Sequence, residues 1–138
     1  MNIFNKLKKL KTLLVDDDEF IRDALKIVFT AKGCMIRVEG SAEDGLEAIK
    51  KEQFDIIISD FRLPGMNGLD FIKLATASQP AAIQFLITAY RDDHIKSEAT
   101  RIGVTDFIEK PFSGKKLIDY LDLAVKRQPN KPLTAGRL

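Results

Sequence analysis

Asp55-Ile56-Ile57-Ile58-Ser59-Asp60-Phe61-Arg62-Leu63-Pro64-Gly65-Met66-Asn67-Gly68 opens as a short apolar run and stops at an aspartate, before a turn rich in proline and glycine. Three consecutive isoleucines are too uniformly apolar for a strand with one wet face and predict one buried on both sides. A carboxylate at the mouth of such a strand loses part of its hydration and needs a cation or a chemical task to hold it there. Asp60 is therefore the first candidate functional residue, and the other strand ends are the places to look for its companions.

Upstream, Thr12 to Val15 read as another apolar strand, running into Asp16-Asp17-Asp18-Glu19. Asp18 and Glu19 have a local reason to be there, since acids in a first helical turn suit the helix dipole. Asp16 and Asp17 do not. The following helix extends to about Lys32, with Phe20, Ile21, Leu25, Val28 and Phe29 as its apolar stripe and Gly33 placed to end it. Met35–Val38 predict a second strand, and Ser41 caps a helix that runs to about Glu52. The organising strand follows, from Phe54 to Asp60.

Downstream, Leu69, Phe71, Ile72 and Leu74 mark a third helix, and Ile83–Thr88 a fourth strand that ends in a hydroxyl. Residues 91–102 form a polar helix with Asp92 and Asp93 at its start and Arg101 at its end, the order the dipole prefers. Gly103 stops it. Val104–Ile108 give a fifth strand, followed by Glu109-Lys110-Pro111, and Ser113 caps a last helix that Pro129 ends. Five strands alternating with five helices define a doubly wound α/β fold, a parallel sheet covered on both faces.

In open sheets of this kind ligands bind outside the carboxyl ends of the strands, where the strand order reverses. Asp16/Asp17, Asp60, Thr88 and Lys110 follow the first, third, fourth and fifth strands and so share that edge. Crowded carboxylates cannot all stay ionised without a cation. With oxygen ligands only, and neither His nor Cys among them, the ion expected is hard: Mg²⁺, or Mn²⁺ in its place. Lys110 adds a point charge and Thr88 a hydroxyl donor. An anionic nucleophile, a divalent cation, an ammonium and a hydroxyl together suit the receipt of a phosphoryl group, forming an aspartyl phosphate. His94, alone in the polar helix, is not a metal-site candidate.

The bulk properties agree. A chain of 138 residues, 45% hydrophobic and 30% charged, fits a single soluble domain. A lone Cys34 excludes an internal disulfide, suits a reducing cytoplasm, and reads as a small buried hydrophobe. The net charge of +2 hides an asymmetry. Residues 1–11 carry four lysines and no acid, and residues 126–138 four basic groups and no acid. The span 12–125 therefore holds 14 basic against 20 acidic residues. An acidic body argues against nucleic-acid binding by the domain itself. Ile3, Phe4, Leu7 and Leu10 fall on one helical face of the basic N-terminus. The expectation is a lead-in packed against the domain, with no membrane association. The organisation read here is a lead-in (1–11), a domain (12–127) and a tail or linker (128–138).

Taken together, Leu14-Val15-Asp16-Asp17-Asp18, Ser59-Asp60-Phe61-Arg62-Leu63-Pro64-Gly65-Met66-Asn67-Gly68, Ile87-Thr88-Ala89 and Lys110-Pro111-Phe112 resemble the receiver domain of two-component response regulators, over roughly residues 11–127. The resemblance implies a flavodoxin-like, CheY-like sheet of order 2-1-3-4-5. By motif, Asp60 would be the phosphoacceptor, with Asp16, Asp17 and the Arg62 backbone carbonyl completing the Mg²⁺ site. Lys110 would contact the phosphoryl oxygens and Thr88 would swing to them. Ala89 would leave room for the phosphoryl group, and Lys110–Pro111 would be cis. Arg62 and Tyr90 would flank the phosphoryl group and tune its lifetime. Phe107, where similar proteins commonly carry Tyr, would be the aromatic coupled to Thr88. The resemblance also implies a sensor histidine kinase or phosphotransfer protein as donor. Output, to a downstream target or a homodimer partner, would pass through the fourth helix, fifth strand and fifth helix (the α4-β5-α5 face of such domains), residues 91–127.

Two other functions compete. A haloacid-dehalogenase-like phosphatase also uses a strand-end aspartate with Mg²⁺, and Asp16-x-Asp18 imitates its motif, but the chain has no cap segment. A degenerate receiver acting as a constitutive binding module is opposed by the intact acid pair, Thr88 and Lys110.

Overall fold

A computed structural model describes residues 3–89 and 93–127. Its strands are β1 (Lys11–Val15), β2 (Met35–Glu39), β3 (Ile56–Asp60), β4 (Ile83–Thr88) and β5 (Asp106–Glu109). They form one parallel sheet in the order β2-β1-β3-β4-β5. The helices are α1 (Ile3–Leu7), α2 (Glu19–Ala31), α3 (Ala42–Lys51), α4 (Gly68–Ser78), α5 (Asp93–Arg101) and α6 (Gly114–Arg127). The N-terminal segment forms α1, so the face assigned to output becomes α5-β5-α6. Asp92, Pro129 and the tail 128–138 lie outside the described residues.

The sheet divides the core in two, as the period of a strand requires. Leu14, Ile56, Ile58, Phe85, Ile87 and Ile108 face α2 and α6, where they meet Leu25, Phe29, Leu117 and Leu121. Leu13, Val15, Ile57 and Leu86 face α3, α4 and α5, meeting Ala48, Phe71, Ile72 and Ala99. β1, β3 and β4 are therefore buried at nearly every position, each large apolar side chain there contributing roughly 1.5–3 kcal/mol.

Local chemistry sets the boundaries. Asp18 caps α2 by accepting from the Phe20 and Ile21 N–H groups, and Ser41 and Asn67 cap α3 and α4 in the same way. Gly33, at φ +72°, closes α2: its N–H bonds Thr30 O and that of Cys34 bonds Phe29 O, the paired ending only a left-handed residue allows. β3 begins at Ile56 and not at Phe54, because the Phe54 N–H is taken by Gln79 Oε1 at 2.7 Å. β5 begins two residues later than its apolar pattern suggests, since the Val104 N–H is spent closing α5 on Ala99 O.

The basic lead-in packs onto the body. Leu7 and Leu10 are buried, Ile3 and Phe4 lean on the α2–α6 cluster, and Cys34 lies beneath with its Sγ 3.6 Å from Phe4 O. No helix of the described residues is long and apolar enough to cross a membrane.

Candidate functional site

Each candidate at the sheet edge is placed by a strand that stops there. β1 ends at Val15. The next residue, Asp16, is fully buried: its N–H bonds Glu39 O on β2 and its Oδ1 accepts the Asp18 N–H at 2.9 Å. β3 delivers Asp60, 3% exposed, in register with Ile87 of β4. Carboxylate oxygens of Asp16, Asp17 and Asp60 lie within 4.8 Å of one another. Asp16 and Asp60 are buried and Asp17 is exposed, so the cluster opens to solvent on one side.

β5 brings the countercharge. Lys110 Nζ donates to Asp60 Oδ2 at 2.8 Å, and the Lys110 N–H bonds Thr88 O at 2.8 Å, tying the lysine to the end of β4. The Lys110–Pro111 bond is cis. Burial alone would lower the Lys110 pKa, but the hydrogen bond and charge of Asp60, joined by Asp16 and Asp17, outweigh it and raise the value above normal. The ammonium is permanent at neutral pH.

One cation does not satisfy the cluster. The Asp16 carboxyl is pushed up to about 6, chiefly by burial and further by the charges of Asp60 and Asp17, against the opposing pull of the Asp18 N–H and Lys110. Its Oδ2 is buried with no hydrogen-bond partner, and so is Thr88 Oγ1. Buried polar atoms are seldom left without a partner. An acceptor without a donor on one of three converging carboxylates fits a bound divalent cation. A hydroxyl without a partner at the end of the neighbouring strand fits a ligand oxygen.

The remaining candidates are spread around this centre. Arg62 is exposed in the turn after β3, its N–H 3.4 Å from Asp60 Oδ1. Ala89 follows Thr88 and is exposed. Phe107 is half-buried on the same sheet face as Thr88, since Leu86 pairs with Phe107 and Thr88 with Glu109. Tyr90 lies outside the described residues. Met66 packs against the α3–α4 cluster, and His94 is exposed on α5.

Three contributors were not singled out from the sequence. A Cβ at Gly68 would stand 1.9 Å from the Asp60 carbonyl oxygen, so only glycine lets α4 start against the end of β3. The Arg22 side chain donates from Nη1 to the Asp16 carbonyl at 2.8 Å. Lys96 on α5 holds its Nζ 5.4 Å from the Phe107 ring centroid and 3.6 Å from Glu109 Oε1. Gly68 had a visible signal, a glycine where a helix should begin; the other two lie within ordinary helical charge patterns.

The order β2-β1-β3-β4-β5, with an acidic cluster where that order reverses, defines a flavodoxin-like α/β domain with a candidate ligand site at the switch point. The chain belongs to the response regulator receiver domain family, which residues 12–122 match. It is 34% identical to the chemotaxis protein CheY of Listeria monocytogenes over 120 residues, covering 85% of this chain and 99% of that one. It is 29% identical to the transcriptional regulatory protein FixJ of Bradyrhizobium diazoefficiens, covering 83% of this chain and 56% of that one. Of three transcription or response regulators it matches, the chain spans 24% to 56% of the length. A CheY-like receiver domain from Methanospirillum hungatei superposes with a TM-score of 0.83 at 24% identity, covering 89% of this chain and 98% of that one. The fold expected from the sequence, strand order included, is the fold found.

Proposed function

We propose that this domain is a phosphorylation-activated switch in two-component signalling, with Asp60 as the residue that accepts the phosphoryl group. The observation that carries the reading is a buried aspartate at the switch point, paired to a lysine and set among oxygens that lack partners. In the reaction a carboxylate oxygen of Asp60 attacks the phosphorus of a phosphohistidine. The P–N bond breaks with its electron pair returning to the imidazole, and an aspartyl phosphate is left on this chain.

Asp16, Asp17 and Asp60, with the Arg62 carbonyl, would hold a divalent cation, Mg²⁺ or Mn²⁺ by the hardness of the donors. When bound, that ion offsets the negative charge gathered on the phosphoryl oxygens. Lys110, already at the acceptor, offsets more of it and remains paired to the product. The Thr88 hydroxyl, buried and without a partner, gains one when a phosphoryl oxygen arrives. The added charge and the movement of Thr88 would reach Phe107, its diagonal neighbour on the sheet, and through it the α5-β5-α6 face. Phe107 has no hydroxyl, so its outward and inward positions would differ in packing and in contact with Lys96 alone. Tyr90 and Arg62 would set the phosphoryl lifetime. Catalysis would be limited to the domain's own phosphorylation and dephosphorylation.

Mass spectrometry after incubation with acetyl phosphate and Mg²⁺ tests the reading. One added phosphoryl group on the wild type and none on a folded Asp60→Asn variant is the expected result. Labelling of Asp60→Asn to the wild-type extent overturns it. Repeated turnover of a phosphomonoester that requires Asp16 would return the phosphatase.

A further inference from the structure

The turn that carries Asp16 and Asp17 is held from behind by Arg22. Helical side chains lean toward the helix N-terminus, so the fourth residue of α2 can reach back over the turn from which the helix springs. Arg22 does this. Its N–H closes the first helical turn on Asp18 O, and its Nη1 donates to the Asp16 carbonyl at 2.8 Å. Its guanidinium rests against Gly40, just beyond the end of β2, where an added Cβ would lie 3.2 Å from Nη1 and 3.5 Å from Cζ. The Asp16 N–H meanwhile bonds Glu39 O and its Oδ1 takes the Asp18 N–H. Backbone and side chain of Asp16 are thus fixed on three sides, and the remaining oxygen, Oδ2, is buried with no partner.

We infer that Arg22 is a positioning residue for the cation site, holding the Asp16–Asp17 turn in a geometry ready to ligate, and that Gly40 is small because the guanidinium must seat on it. The inference rests on the reading of the acid cluster as a divalent-cation site. Arg22 acts through the Asp16 backbone and touches neither substrate nor acceptor. Outer groups that orient ligands of this kind typically change metal affinity by about 10–100-fold when removed.

The two residues can be perturbed separately. Arg22→Gln removes the donor fork. Gly40→Ala keeps the Arg22 side chain but makes its guanidinium give by a few tenths of an ångström, at a position whose backbone an alanine can adopt. Mn²⁺ dissociation constants, read by electron paramagnetic resonance on folded protein, are the measurement, with urea titrations in chelator recording stability independently. Arg22→Gln should weaken Mn²⁺ binding about tenfold. Gly40→Ala should weaken it by a smaller factor, and the double variant should match Arg22→Gln alone, because both act through one contact. Arg22→Lys, with charge but no fork, should fall between wild type and Arg22→Gln. Unchanged Mn²⁺ affinity in Arg22→Gln, or effects that multiply in the double variant, overturns the inference while leaving the proposed switch intact. A wild-type chain that binds no Mn²⁺ overturns both.

Discussion

Asp16 bears an electrostatic cost for its place in the acid cluster. Its carboxyl, fully buried beside Asp60 and Asp17, is raised to about 6 from an ordinary 3.8. An acid whose pKa is raised in the folded state binds more protons folded than unfolded between those two values. Stability therefore falls as pH rises from about 4 to about 6 and stays lowered above that, by at most about 3 kcal/mol for a shift of this size. In chelator, Asp16→Asn should be more stable than wild type at pH 7 by up to that amount, and the gain should shrink toward pH 4. Urea titrations at both pH values check it; an Asp16→Asn chain no more stable than wild type at pH 7 means that Asp16 is not strained. A saturating divalent cation should erase most of the wild type's deficit, since a ligand that binds only the folded chain stabilises it. The same residue thus trades stability for a site, as functional carboxylates commonly do.

At the scale of elements, the close approach of α4 to the end of β3 depends on one missing atom. Gly68→Ala would drive a Cβ into the Asp60 carbonyl at 1.9 Å, against backbone that cannot turn aside. It should cost at least about 1–3 kcal/mol and displace Asp60, so that urea stability and acetyl-phosphate labelling fall together. Gly45→Ala meets the Val15 and Phe71 side chains first, at 2.8 and 2.9 Å, and should cost less and spare labelling. These positions mark how far the sequence could be read. Strands, caps and helix ends carry local signals: isoleucine runs, Ser41 and Ser113 before their helices, Gly33 and Gly103 after theirs. The candidate site was legible for the same reason, because parallel topology sends Asp16, Asp60, Thr88 and Lys110 to one edge whatever the side-chain detail. The contacts of Arg22 with Asp16, Lys96 with Phe107 and Gln79 with Phe54 were not legible. Each joins residues whose pairing only the folded chain decides, and a lone Arg or Gln on a helix has no pattern to announce it.

For the whole molecule, the proposed switch would have an entrance and an exit, and each can be tested apart from the other. The exit assigned to α5-β5-α6 is bound by Lys96 to Phe107 and Glu109 and by Arg127 to Asp106 at 2.7 Å. With beryllofluoride and Mg²⁺ imitating the phosphoryl group, amide shifts away from the pocket should concentrate in residues 93–127; shifts confined to 35–55 would place the output elsewhere. On the proposed function, a donor histidine would approach Asp60 from the carboxyl edge, past the open side that Asp17 occupies. Beside it, the first turn of α2 offers Phe20, which the sequence pattern assigned to the buried stripe but which stands 86% exposed, with Ile27 on the same helix face, 69% exposed. Large apolar side chains exposed that far, in an otherwise polar setting, are what a partner's helix would cover. A protein donor would use that contact, whereas acetyl phosphate is too small to reach it. Phe20→Ala should therefore slow phosphoryl transfer from a phosphorylated histidine kinase about tenfold, equivalent to roughly 1.4 kcal/mol of lost docking, while labelling by acetyl phosphate stays at the wild-type rate. Equal slowing with both donors would mean that Phe20 shapes the Asp16–Asp17 turn and not the approach. No slowing with either would move the entrance off α2.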